Sequence, residues 1–460
     1  MANIFNPMEY AGVQEVDFVG EPLSDISGSE KFYDVVAQTR SHLRDSHRHE
    51  FVRSVIDPKV REALKTEVVR YLTSRPNLQI AGIPLKQLID AVQQEILYFG
   101  PIQKALDDPD VTNIDINSPK DVYIEKNGEE EYCPDMAFKD DIHLETMINK
   151  MLVADGKTLT ANEPHIDSLF EKYRICAVLG TARGGIATEG TCVSIRKFSD
   201  ETITPGDLVK MGSISEEMNH FFAHVIPCCN AIVAGATNSG KTTTLMSLPL
   251  YFHEDTRIIT IEDSPEMMLR RKNAFQNYRN IVALQTKAHD NKDKTYDIAR
   301  LTKVSLRMRP FKILIGEVRD SQACRQAQAA MNTGHGTYMT IHSSSAKNAA
   351  VRIVQLAGDG YNDETIAAQL ADTVDLILFQ QKIKKSRVIT SVIELVGYEQ
   401  ARRPICRQLF RFVQTGVNPE GFVEGYHERV DGISEELALK LEINLVPREI
   451  IETFAGNDAP

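Results

Sequence analysis

One stretch constrains this chain more than any other: Gly235-Ala236-Thr237-Asn238-Ser239-Gly240-Lys241-Thr242. It is entered from the apolar run Ala231-Ile232-Val233-Ala234 and left through Thr243-Thr244-Leu245-Met246. The entry reads as a strand and the exit as the start of a helix, the context in which G-x-x-x-x-G-K-[ST] is a phosphate-binding loop. Glycines let the backbone curl until successive N–H groups point at phosphate oxygens. The helix start adds its free N–H groups and positive dipole end. Residues 235–243 are therefore the candidate nucleotide contacts. Lys241 reaches for the β and γ phosphates, and the Thr242 hydroxyl ligates Mg2+. The ligand predicted is ATP or a close relative.

A chain of 460 residues is too long for one core, so several domains are expected. A net charge of −12 gives no global support for nucleic-acid binding. The N-terminus lacks the basic and apolar regions of a signal peptide, and no apolar run approaches the roughly 18 residues of a membrane span. The seven cysteines are scattered singly apart from Cys228-Cys229, which fits reduced thiols better than a disulfide frame or a zinc site. The expected location is the cytoplasm, unless a partner ties the chain to a membrane.

Five segments are predicted. Residues 1–28 read as a flexible polar arm. Residues 29–98 read as a helical module, with Asp57-Pro58 as N-cap and first helical residue and with Leu64, Val68, Leu72, then Leu88, Ile89, Val92, Ile96 at helical spacing. Residues 99–200 read as an α+β domain. Ile114 and Ile116, then Val122 and Ile124, alternate with polar residues, and Asn127-Gly128 marks a hairpin. A helix follows over 140–153 with Ile142, Met147, Ile148 and Met151 on one face, then strands at Tyr173–Val178 and Thr191–Ile195. Residues 201–400 alternate short apolar runs with helical stretches, the pattern of a mostly parallel sheet, so the fold class is α/β. After Val374–Phe379 two more strands are read around a turn at Lys385-Ser386. Residues 401–460 read as a C-terminal extension packed on that domain.

Chemistry concentrates after the strands of the fourth segment, where open α/β sheets place ligands. Ile313-Leu314-Ile315-Gly316-Glu317 is an apolar strand ending in an acid, where Mg2+ is held through water or the attacking water is polarised. Ile261-Glu262-Asp263-Ser264-Pro265-Glu266 is a second acidic strand end, with Glu262 a candidate base; Asp263 and Glu266 fit equally well as acids drawn to a helix N-terminus. Thr333-Gly334-His335-Gly336 leads to Thr340-Ile341-His342, and His342 is placed to report on the γ-phosphate. Lys382, Lys384, Lys385 and Arg387 form a basic hairpin tip, read as solvated edge protection.

In this order the motifs resemble those of the secretion-motor ATPases of type II and type IV secretion and type IV pili: IEDSPE their aspartate box, ILIGEVRD their Walker B segment, TGHGTYMTIH their histidine box. Outside the motifs, LYFGPIQKALDDPDVTNIDINSPKDVYIEKNGE, CVSIRKFS, LRMRP and LFRFVQTGVNPEGFVEGYHERV are similar to the tight-adherence (Tad) pilus, CpaF-like branch, over about residues 95 to 455. Asn238 departs from that branch's usual glycine, GEVRD replaces GEVRG, and the histidine box is one residue shorter. The last two features are closer to the pilus-retraction and conjugation branches.

The resemblance implies a RecA-like ATPase domain behind a PAS-like α+β domain, assembled as a homohexamer with ATP between the two. It implies that Arg174 and Arg196 approach the phosphates, that Glu262 is the catalytic acid, and that Glu317 is the Walker B acid. His335 and His342 sense the γ-phosphate with the two arginines. The implied partner is an inner-membrane platform protein of a pilus or secretion system, with the chain peripheral to the membrane's inner face. A conjugative or type IV secretion ATPase is the nearest alternative. A RecA-like nucleic-acid translocase is the alternative of another class, and an acidic chain offers it little.

Overall fold

The computed structural model describes residues 29–126, 128–289, 291–358, 363–400 and 402–455. The arm expected at 1–28 and the turn residue Asn127 lie outside them. The chain divides into two compact units between Ser199 and Asp200.

In the first unit, helices α1 (Glu30–Ser46), α2 (Arg48–Arg53), α3 (Pro58–Thr73) and α4 (Leu85–Leu97) precede the short α5 (Gln103–Asp107). Asp57 caps α3 by accepting from the N–H groups of Lys59 and Val60, and Pro58, which has no N–H to lose, stands at the first helical position. Leu64, Val68 and Leu72 of α3 share a core with Leu88, Val92 and Ile96 of α4 and with Phe32, Val35 and Leu43 of α1. A six-stranded sheet follows, built from β1 (Val111–Ser118), β2 (Asp121–Lys126), β3 (Glu129–Tyr132), β4 (His165–Phe170), β5 (Tyr173–Val178) and β6 (Cys192–Lys197). Its order is β3-β2-β1-β6-β5-β4, with every neighbouring pair antiparallel.

One face of this sheet shares its core with α6 (Asp141–Val153) through Ile114, Ile175 and Ile195 against Leu144, Met147, Ile148 and Met151. Ile142 is not in that stripe. It is 58% exposed, because its offset from Met147 rotates it to the solvent side. The helical part and the sheet fall in one unit because α4 and α6 share buried polar contacts: Glu95 Oε1 lies 2.7 Å from His143 Nε2, and Lys150 Nζ donates to the Glu95 and Tyr98 carbonyls.

The second unit starts with helices α7 (Pro205–Lys210) and α8 (Glu216–Val225). Its strands are β7 (Ala231–Gly235), β8 (Ile258–Glu262), β9 (Ile281–Gln285), β10 (Lys312–Ile315), β11 (Gly336–His342), β12 (Leu376–Ile383), β13 (Ser386–Gln400), β14 (Arg403–Val417) and β15 (Val423–Arg429). The remaining helices are α9 (Lys241–Ser247), α10 (Ile298–Ser305), α11 (Ser321–Asn332), α12 (Ala346–Ala357), α13 (Asp363–Ala371), α14 (Glu435–Ile443) and α15 (Arg448–Phe454). The nine-stranded sheet has the order β15-β14-β13-β12-β7-β11-β10-β8-β9. From β12 to β9 the strands are parallel, and β13, β14 and β15 are added antiparallel.

Both faces are covered, which is why the parallel strands are solid apolar runs rather than alternating ones. Ala231 and Val233 enter one core with Phe221, Phe222 and Leu245, whereas Ile232 and Ala234 enter the other with Ala327, Met331 and Ile353.

Two expectations are amended. After Phe379 there are not two short strands: β12 runs on to Ile383, turns through Lys384-Lys385 and returns as one long strand to Gln400. Of the extension expected at 401–460, the described residues 402–455 are part of the domain itself, since β14 pairs along β13 and Phe410, Leu441 and Phe454 belong to the first of the two cores. A boundary at residue 400 cuts a hairpin.

Candidate functional site

Parallel strands end at one edge of a sheet, and here the ends that matter are in register. His342 pairs with Gly235, Ile315 with Met339, and Ile261 with Ile315. The phosphate loop, Glu262, Glu317 and His342 therefore leave the sheet at the same edge.

The loop connects β7 to α9, and Gly235 and Gly240 are required where they stand. A Cβ on Gly235 would lie 2.3 Å from the Gln380 carbonyl oxygen, and Gly240 has φ +94° as the residue before α9. Asn238 has φ +61°, a left-handed conformation that asparagine tolerates and β-branched residues resist. Asn238→Gly is expected to leave the thermal midpoint and ATP affinity unchanged or slightly raised. Asn238→Val is expected to cost about 1–2 kcal/mol, read as a lower denaturation midpoint.

Lys241 is buried, with its Nζ donating to the Ala236 carbonyl at 2.7 Å and lying 3.4 Å from His342 Nδ1. An ammonium only donates, so Nδ1 carries the lone pair and the ring proton sits on Nε2. That Nε2 lies 2.9 Å from Glu317 Oε1 but without hydrogen-bond alignment, so Oε1 is left buried with no hydrogen-bond partner. Arg319 donates to the other oxygen, Oε2, at 2.7 Å and lies 3.9 Å from Asp263. Burial pushes the Glu317 carboxyl up, but the hydrogen bond and charge of Arg319, with the charge of Lys241, outweigh it and hold the carboxyl below its ordinary value. Lys241 is pushed down by burial, with Glu317 opposing.

Glu262 closes β8 and is buried; its Oε1 accepts from the N–H groups of Glu266 and Met267 at 3.1 and 3.0 Å. Burial raises its carboxyl to about 7, and those two N–H groups pull against the shift. A carboxyl poised there exchanges a proton near neutrality, the property of a general base.

A buried carboxylate oxygen without a donor, next to a phosphate loop, is the environment a hard cation completes. Thr242 follows Lys241 directly in the first turn of α9. The residues present therefore fit Mg2+.

The other candidates fall elsewhere. His335 precedes β11 and contacts the Thr333 hydroxyl at 2.9 Å. The seven residues of β11 carry the chain from there to His342, so His335 lies at the opposite edge of the sheet from Lys241 in its own chain. Grouping it with His342 as a sensor in the same pocket is corrected on that ground. Arg174 and Arg196 belong to the first unit, where they pair directly across β5 and β6.

The motifs assign no role to three residues at the site. Gln380 accepts from the Thr244 hydroxyl at 2.7 Å, and Arg387 Nε donates to the Asn238 carbonyl at 3.4 Å. Arg387 is thus not edge protection: β12 and β13 are interior strands, and it reaches the phosphate loop. Arg319 is the third; it stands inside ILIGEVRD, where the acid two residues before it carries the motif's chemistry.

Fold and loop together define a P-loop nucleotide-binding protein of the RecA-like α/β class. The family described as type II/IV secretion system protein matches residues 97–408, more than half of the chain. The chain belongs to that family, whose members are secretion and pilus ATPases. Among its relatives, the protein MJ0900 of Methanocaldococcus jannaschii is 26% identical over 390 residues, covering 80% of this chain and 68% of that one. The conjugal transfer protein TrbB of Rhizobium radiobacter is 31% identical over 214 residues, covering 45% of this chain and 62% of its own. Among solved structures, the ATPase DotB of Legionella pneumophila aligns with a TM-score of 0.48 at 16% identity, covering 76% of this chain and 84% of that chain. No helix among the described residues is long and apolar enough to cross a membrane.

Proposed function

We propose that the chain is a Mg2+-dependent ATPase that works as a homohexameric motor and powers pilus assembly, pilus retraction or protein export through an inner-membrane platform protein. The observation that carries the chemistry is the contact of Lys241, His342 and Glu317 beside the phosphate loop. The loop N–H groups and Lys241 hold the β and γ phosphates. The glutamate Glu262 takes the proton of a water that attacks the γ-phosphorus in line, and ADP departs as the bond to its oxygen breaks. Thr242 and Glu317 would hold Mg2+, which would supply positive charge to the phosphoryl oxygens. His342 lies between Lys241 and Glu317, so loss of the γ-phosphate changes the charge that its ring meets.

For Arg174 and Arg196, which stand opposite each other on β5 and β6, the family resemblance is what supports a role toward phosphate. The tight-adherence similarity favours a pilus system, while the likeness to a conjugal transfer protein favours conjugative export as the second reading.

The test is to measure ATP turnover of the purified chain with and without Mg2+, and its mass by light scattering with and without ATP. Turnover that needs Mg2+, in a six-subunit particle, is expected. A chain with no ATP affinity, or a monomer at every concentration with ATP, overturns the proposal.

A further inference from the structure

On the sheet face of the first unit that points away from α6, three side chains of different chemistry bring their ligand atoms together. His165 and Asp167 stand on the edge strand β4, and Cys176 stands on β5 directly opposite Asp167. His165 Nε2 lies 3.4 Å from Asp167 Oδ2 and 3.6 Å from Cys176 Sγ. All three ligand atoms lie within 4.8 Å of one another.

Cysteine, histidine and aspartate together suggest two kinds of chemistry, an activated thiol or a metal centre. In a nucleophile relay the thiol meets one ring nitrogen and the carboxylate orients the other. Here both contacts converge on the same nitrogen, Nε2. That geometry excludes a relay.

A common centre accounts for the convergence. Tetrahedral Zn2+, with Zn–S of about 2.3 Å and Zn–N and Zn–O of about 2.05 Å, requires an N···O edge of about 3.3 Å and an N···S edge of about 3.6 Å. The measured separations match both edges. The donor set, one thiolate, one imidazole and one carboxylate, suits Zn2+ rather than Mg2+ or Ca2+, which take oxygen.

We propose that His165, Asp167 and Cys176 form a Zn2+ site, completed by solvent, that clips the edge strand β4 to β5. Binding turns the thiol into a zinc-bound thiolate and releases its proton to water. No local spacing announces such a site, because the thiol and the other two ligands sit on different strands.

The test uses the full chain in excess Mg2+, titrated with Zn2+ by calorimetry and with Co2+ by absorption. One equivalent should bind per chain, Co2+ should show a thiolate charge-transfer band, and Zn2+ should raise the thermal midpoint. Cys176→Ser should remove the band, and His165→Ala should weaken Zn2+ by at least about 10-fold, since losing even a supporting contact to a ligand costs that much. Cys192→Ser changes a thiol on the neighbouring strand β6 outside the trio, and it should keep the band. Well under one equivalent, a band that survives Cys176→Ser, or a band lost instead with Cys192→Ser would overturn the assignment. These side chains are not in the core, and circular dichroism of the variants checks that the fold is retained.

Discussion

Lys241→Ala should lower ATP turnover by at least about 100-fold, the cost of removing one preorganised charge from a phosphoryl-transfer site. The ammonium is the buried positive group of the loop, held by the Ala236 carbonyl and facing His342. The Ala236 carbonyl cannot replace it, since a carbonyl only accepts. ATP affinity should also fall, since Lys241 meets the phosphates in the ground state as well as in the transition state. The measurement is turnover against ATP concentration, with a thermal melt to show that the variant is folded. A fully active Lys241→Ala would remove the basis of the proposed mechanism.

Glu262→Gln should reduce turnover by about 10²–10⁴-fold while leaving ATP binding nearly intact, the signature of a lost general base. The amide keeps an oxygen for the N–H groups of Glu266 and Met267, so the loop after β8 retains its anchor. The pH profile separates a chemical role from a structural one. Burial raises the Glu262 carboxyl from its ordinary 4.5 to about 7; the charge of Glu266 adds to this, and Lys272 and the two N–H groups oppose it. The base is the ionised form, so wild-type turnover should rise with pH through about 7, and that limb should vanish in the glutamine variant. The stability sign is the opposite one. A raised carboxyl pKa means that the folded state prefers the proton, so this contribution is fully present below 4.5 and is lost as pH rises through about 7. Denaturation midpoints of wild type and Glu262→Gln, compared at pH on either side of that range, should shift in favour of the variant as pH rises. A glutamine variant with unaltered turnover would reassign the base.

How much was legible varies with the distance over which a constraint acts. Asp57-Pro58 announced the start of α3, since a cap and its first N–H groups are neighbours in sequence. Lys312–Ile315 was legible as a strand because a doubly covered strand has to be apolar throughout. Ile142 was misplaced, since its apolar character says nothing about which side of a helix its offset gives it. The strand β9 is not legible in the sequence. It is an edge strand with only Ile281 fully buried, so its pattern of half-buried and exposed residues resembles a loop.

The two histidines of one motif show the same limit. Both precede or end β11, and similar spelling suggests a similar role, yet a strand has two ends and a parallel sheet holds its ligands at only one of them. In sequence Arg387 looks like a tip charge, since the sequence does not reveal that β13 is interior and returns along β12 to the loop.

By itself the sequence determined the phosphate loop, the acids at the ends of β8 and β10, and membership in a family of secretion ATPases. Each of these is a short contiguous pattern whose physics is local: a glycine turn, a strand, a helix start. Only the tertiary structure decided that His342 and not His335 meets Lys241, that Arg319 and Arg387 stand at the site, and that His165, Asp167 and Cys176 share one centre. Those relations depend on strand order and register, which bring together residues far apart along the chain, and no single stretch of sequence contains both partners.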